Sequence, residues 1–144
     1  MTKGKKFLLA GVAATFVSLT AGTSQVSAQT TRCNLDGDWL ASGSSGDGTK
    51  YTGSPVRITS FGNPTLGGYR VAWTYDNNRV VTGTGLDLDN YLAVGYRDSA
   101  GGVTGVVIYK ISANCNRLEG YYIESDGKMD TTSKEADETL VRKS

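Results

Sequence analysis

A protein's chemistry starts with side chains that take or give a proton, hold a metal or attack an electrophile, and this chain is short of them. It has no histidine in 144 residues, which removes the usual general base, metal ligand and activator of a nucleophile. The two cysteines, Cys33 and Cys115, stand far apart with no Cys-x-x-Cys spacing, so no zinc site is expected. If they bond to each other, no thiol nucleophile remains. Ser–His–Asp and Cys–His arrangements are excluded, and no glycine-rich phosphate loop joins a strand to a helix. Carboxylates are what is left. Asp36 and Asp38 flank Gly37, Asp87 and Asp89 share a face near a turn, and Glu119 and Glu124 fall on opposite faces of one strand. Each pair could serve acid–base work or calcium, but Asp87-Leu88-Asp89-Asn90 lacks the spacing of an EF-hand loop. All are read as solvated strand ends and turns. The expectation is a protein that is not an enzyme, with no catalytic residues, no metal and no cofactor.

Aromatic residues are the stronger lead. Most of the tyrosines fall in stretches that read as strands, and Trp73, Tyr75, Tyr96, Tyr109 and Tyr122 are the candidate ligand-binding residues. Gathered around a cavity or on a patch, they would supply apolar walls with phenol hydrogen bonds. The competing reading is ordinary core and wall packing. Tyr121 and Tyr122 are adjacent, so one of the two faces outward.

These residues are positioned by strands. Alternation, β-branched and aromatic residues, and bounding turn residues mark eight of them: 36–42, 50–61, 69–75, 79–88, 91–97, 103–112, 117–124 and 137–143. The cleanest alternation is Tyr69, Val71, Trp73 and Tyr75 against Arg70, Ala72 and Thr74. Leu92, Val94 and Tyr96 share another face. The stretch 103–112 is apolar on both faces and reads as the most buried strand. Pro55 points to an edge or a bulge, and 125–135 reads as a polar loop. Eight consecutive strands with short turns predict an all-β fold, a single eight-stranded up-and-down antiparallel β-barrel, which leaves no exposed edge. The alternative is a β-sandwich. Glycines within strands, such as Gly53, Gly83, Gly105 and Gly120, suit the coiling of a small barrel.

The N-terminus carries an address. Lys3, Lys5 and Lys6 precede an apolar run from Phe7 to about Leu19, and Val26-Ser27-Ala28 offers a small-residue cleavage site. This predicts a signal peptide over 1–28 and a β-barrel domain over 29–144. The run is too short for a span, which takes about 20 apolar residues. The localisation expected is secreted or periplasmic, with no membrane span after cleavage. An oxidising compartment predicts a Cys33–Cys115 disulfide. Cleavage would remove three lysines from a chain of net charge +1, leaving −2. With no basic stripe, nucleic acid is not an expected partner.

The mature start, Cys33-Asn34-Leu35-Asp36-Gly37-Asp38-Trp39, has a Gly-x-Trp in the first strand and resembles the opening of the calycin barrels, the lipocalins and avidins. In that group the tryptophan plugs one barrel end and an arginine of the last strand packs across it. The resemblance assigns this structural plug to Trp39 and Arg142. Size places the chain nearer the avidins, yet their biotin pocket does not carry over. Leu40-Ala41-Ser42-Gly43 stands where avidins place polar residues, and the only tryptophans are Trp39 and Trp73. A closer resemblance runs through Gly83-Thr84-Gly85-Leu86, Tyr91-Leu92-Ala93-Val94-Gly95-Tyr96, Gly105-Val106-Val107-Ile108-Tyr109-Lys110-Ile111 and Leu118-Glu119-Gly120. These stretches look like a group of small exported bacterial proteins often labelled "fibronectin-binding protein". The expectation is an exported non-enzymatic binding protein, whose barrel mouth or face binds a small apolar ligand or an extracellular or envelope protein. The alternative is a protein-interaction factor (adhesin, envelope accessory or inhibitor) with a filled barrel.

Overall fold

The computed structural model describes residues 32–62, 67–75, 78–98, 100, 102–125 and 134–144; the expected signal peptide lies outside them. The chain forms β1 (Gly37–Ser44), β2 (Lys50–Phe61), β3 (Gly68–Thr74), β4 (Val80–Leu88), β5 (Tyr91–Asp98), β6 (Thr104–Ile111), β7 (Arg117–Ser125) and β8 (Lys134–Arg142). Each strand pairs antiparallel with the next, and β8 returns to pair with β1, from Trp39↔Arg142 to Gly43↔Glu138. The result is the closed eight-stranded barrel expected from the sequence, not a sandwich.

Alternation places the core. Tyr69, Val71 and Trp73 of β3, Leu92 and Val94 of β5, Val107 and Tyr109 of β6, and Leu118 and Tyr122 of β7 all point inward. Tyr121 points out and is 77% exposed. The reading of 103–112 as the most buried strand is corrected. Val106 and Ile108 are 52% and 53% exposed on the outer wall, because a single closed sheet has one inner face and, among the described residues, no element packs on its outside.

Pro55 does not mark an edge, since closure leaves none; it sits opposite Leu40. The register shift lies just before it. Ala41 pairs with Ser54 and Ser42 with Thr52, so Gly53 is the extra residue of a bulge, at φ +75°, a conformation glycine adopts without cost. The bulge reverses the alternation of β2. Ser54, Val56 and Ile58 face inward beyond it, and before it Tyr51, not Thr52, turns toward the interior.

One end of the barrel is sealed. Trp39 is 1% exposed and donates its indole N–H to the Leu35 carbonyl at 3.1 Å. The Arg142 guanidinium lies 4.4 Å above the indole ring and donates to the carbonyls of Asp36 at 2.7 Å and Asn34 at 2.6 Å. One cation thus stacks on the plug and ties down the segment that precedes β1. The disulfide joins that segment to the β6–β7 turn, Cys33 to Cys115, with Cα atoms 5.5 Å apart and a separation of 82 in sequence. Cross-linking so long a loop restricts the unfolded chain and contributes about 2–4 kcal/mol.

Removing the plug should be costly. Trp39→Ala is expected to lower unfolding stability by about 3–5 kcal/mol in a denaturant titration; a loss below about 1 kcal/mol would mean that Trp39 does not close the barrel.

Candidate functional site at the open end

The opposite end is built differently. Where the sealed end stacks Leu, Ile and Trp, the inward positions toward the β1–β2, β3–β4, β5–β6 and β7–β8 turns carry tyrosine, tryptophan and acids. They enclose a cavity of about 520 Å³, open at the barrel mouth. All five aromatic residues singled out from the sequence line it: Trp73, Tyr75, Tyr96, Tyr109 and Tyr122. Their rings pack against one another, with Trp73 and Tyr96 centroids 5.8 Å apart and Tyr96 and Tyr122 6.5 Å apart. Tyr51, which sequence reasoning did not single out, joins them and meets Tyr75 edge-on at 6.1 Å.

The floor of this cavity is Glu138, which is 4% exposed. It accepts three hydrogen bonds. The Trp73 indole N–H reaches Oε1 at 3.0 Å, the Tyr51 hydroxyl reaches Oε2 at 2.8 Å, and the Tyr109 hydroxyl also donates to Oε1. An indole N–H can only donate, so Oε1 is an acceptor whatever the state of the carboxyl.

The arrangement follows from one row of residues across five strands. In register, Tyr51 of β2 faces Gly43 of β1, Gly43 faces Glu138 of β8, Glu138 faces Gly120 of β7, and Gly120 faces Tyr109 of β6. Each glycine makes room for the tyrosine beyond it. A Cβ on Gly120 would stand 2.5 Å from Tyr109 Cδ1, and one on Gly43 would stand 3.0 Å from the Tyr51 hydroxyl oxygen. Large rings can therefore lie across the wall and meet the carboxylate between the two glycines.

Above the floor, Tyr96 donates to Glu124 Oε1 at 3.4 Å and Tyr122 donates to the Ser44 carbonyl at 3.0 Å. At the rim Arg79 pairs with Asp98, Nε to Oδ2 at 2.9 Å, and its guanidinium sits 5.9 Å from the centroid of the Tyr75 ring.

Burial pushes the Glu138 carboxyl above its usual 4.5, and the hydrogen bonds from Tyr109, Tyr51 and Trp73 oppose that rise. The phenols respond to burial and to the nearby carboxylates in the same sense. Tyr51, Tyr75, Tyr96 and Tyr109 are held well above the usual tyrosine value, and Tyr122 is pushed up to about 12. The lining phenols are therefore un-ionised at neutral pH.

The acid pairs weighed from the sequence do not assemble a site. Glu119 and Glu124 fall on opposite faces as expected: Glu119 is outside, paired with Arg117 at 2.6 Å, and Glu124 lines the cavity. Asp38 forms an exposed pair with Arg57 at 2.9 Å, and Asp36 accepts from the Ser60 hydroxyl at 2.7 Å. Reading Asp87 as solvated is corrected. Its side chain is fully buried near the sealed end, with Arg32 Nε 3.8 Å from Oδ2, because its place in β4 points inward, whereas Asp89 lies in the turn beyond. Three carboxylates do share the cavity: Asp98, which is paired with Arg79 at the rim, and Glu138 and Glu124 within it. For acid–base work the inner pair is poorly disposed, since Glu138 would have to break bonds to three wall donors before exchanging a proton with a substrate.

No protein-family model matches the chain, and no curated protein matches it in sequence.

Glutamine at position 138 separates charge from shape. A carboxyl raised in the folded state binds more protons folded than unfolded, so it stabilises below its ordinary value and that contribution is lost as pH rises. Glu138→Gln cannot titrate and keeps an acceptor for Trp73 and Tyr109. It should match the wild type below about pH 4 and exceed it by on the order of 1–2 kcal/mol near pH 7. Thermal melts across that range check this, and a difference that does not change with pH would contradict the account.

Proposed function

We propose that this is an exported, non-enzymatic binding protein that takes a small molecule with a largely apolar body through the open mouth of its barrel. The observation that carries the reading is the division of the interior: one end sealed by Trp39, Arg142 and the disulfide, the other left as a cavity of about 520 Å³ with aromatic walls. Small-molecule sites have this size and this mixture of apolar lining with a few fixed polar groups. Aromatic walls bury a ligand's apolar surface, while the phenols, Glu124 and Glu138 fix its orientation. The likeness to calycin barrels, whose interiors commonly serve as binding sites, supports the same use of this one. Export is supported by the basic, apolar and small-residue succession over 1–28 and by the disulfide, a bond that persists in oxidising compartments.

A second reading is favoured by one observation on the outer wall. Leu86, Ala93, Ile108 and Tyr121 are cross-strand neighbours from β4 to β7, and Val106 faces Ile123 beside them. Leu86, Ile108, Tyr121, Val106 and Ile123 are all exposed. A contiguous apolar wall of this kind suits contact with a protein, in line with the resemblance to proteins labelled as fibronectin-binding.

Native mass spectrometry of the folded protein, purified without organic solvent, tests the first reading. A small-molecule mass released on gentle activation is expected. A bare chain, together with no blue shift of the neutral dye Nile red on mixing, would contradict it; a chain carrying a second protein would move the weight to the outer wall.

A further inference from the structure

The polar groups of the cavity are unbalanced in sign, and this narrows what can enter. Three carboxylates line it, Asp98, Glu124 and Glu138, against one described cation, Arg79. Arg79 is engaged at the rim by Asp98. The described hydrogen-bond partners of Glu138 and Glu124 are an indole and three phenols, all neutral donors.

We infer that the molecule taken by the cavity is an organic cation, an ammonium on an apolar body, with its charged head directed toward Glu138 and Glu124 among the aromatic rings. The inference rests on the small-molecule reading above and specifies its substrate class.

The physical reason is the cost of displacing water from the cavity. A neutral apolar guest would strip solvent from Glu124, leave the buried charge of Glu138 uncompensated, and return nothing. An anion would add repulsion. A cation offsets part of that negative charge and is drawn as well to the electron-rich faces of Trp73, Tyr96 and Tyr122. The molecule already uses this chemistry at the rim, where the Arg79 guanidinium is held between Asp98 and the Tyr75 ring. Deeper in the cavity the same components recur, a carboxylate beside tyrosine, with neutral partners. Burial is the main reason the lining phenols are raised, and the neighbouring carboxylates Glu138 and Glu124 push them in the same direction.

A bare metal ion fits less well. Hard cations take six or more oxygens, three of the roughly four acceptor sites of the Glu138 carboxylate are occupied by Trp73, Tyr109 and Tyr51, and no group of three metal-ligating side chains occurs among the described residues.

The test compares two probes of nearly identical shape on the folded, disulfide-bonded protein: benzyltrimethylammonium and its neutral isostere neopentylbenzene. Trp73 lines the cavity and Trp39 lies at the sealed end, so a change in tryptophan emission on titration reports the open end. The cation is expected to bind at least tenfold more tightly than the isostere. Glu138→Gln and, separately, Glu124→Gln are each expected to weaken the cation severalfold or more and leave the isostere unchanged. Two variants guard against a folding defect in either one, and a thermal melt on each verifies the fold. Equal or tighter binding of the isostere, or a folded pair of variants that bind the cation as the wild type does, would overturn the inference and leave the small-molecule reading standing. Binding of neither probe would overturn both.

Discussion

The open end of this barrel depends on one buried carboxylate. Glu138 sits almost without solvent contact at the floor of a cavity, where an isolated charge is costly. Its position is tolerable because a tryptophan and two tyrosines from three other strands aim donors at it. Those donors arrive only because the backbone clears their way. Gly43 and Gly120 flank Glu138 in register, and the bulge at Gly53 turns Tyr51 inward. A glycine in a strand weakens it, so β1, β2 and β7 each give up some local stability to assemble this one network.

What the open end gives up, the sealed end offsets. Leu35, Trp39, Leu118 and Leu140 are fully buried there. Arg142 caps the indole and ties two carbonyls of the incoming segment, and the disulfide anchors that segment to the β6–β7 turn. Closure of the sheet between β8 and β1 carries this rigidity along the wall to the mouth, since the same pairing runs from Trp39↔Arg142 at the plug to Gly43↔Glu138 at the floor. A cavity at one end of so small a domain is sustained by dense packing and a cross-link at the other.

The strand pattern was legible because most inner positions are apolar and most outer ones polar; β3 and β5 read cleanly for that reason, and their aromatics were found with them. β6 misled because Val106 and Ile108 stay outside on an uncovered wall. The start of β8 was hidden for the opposite reason. Lys134-Glu135 reads as the end of a polar loop with the strand starting only at Asp137, yet β8 begins at Lys134, with Ala136 and Glu138 on the inner face. Buried Asp87 was concealed likewise. A carboxylate on an inner face breaks the alternation that locates inner faces, so the floor of the cavity is the part of the site that sequence pattern conceals best. Gly53-Ser54-Pro55 carried a hint of the bulge, but not that its effect was to deliver Tyr51. Gly43 and Gly120 were visible as glycines, while their service to a carboxylate on the strand between them depended on register.

The central claim is that Glu138 is a buried carboxyl whose ionisation is opposed by burial and only partly restored by its three donors. Carbon-13 NMR of its side-chain carboxyl, followed through an acid titration of the free protein, tests this most directly. The account predicts a midpoint clearly above the ordinary 4.5. A midpoint at or below that value would mean that the cavity floor is hydrated or its donors dominate, and would contradict it.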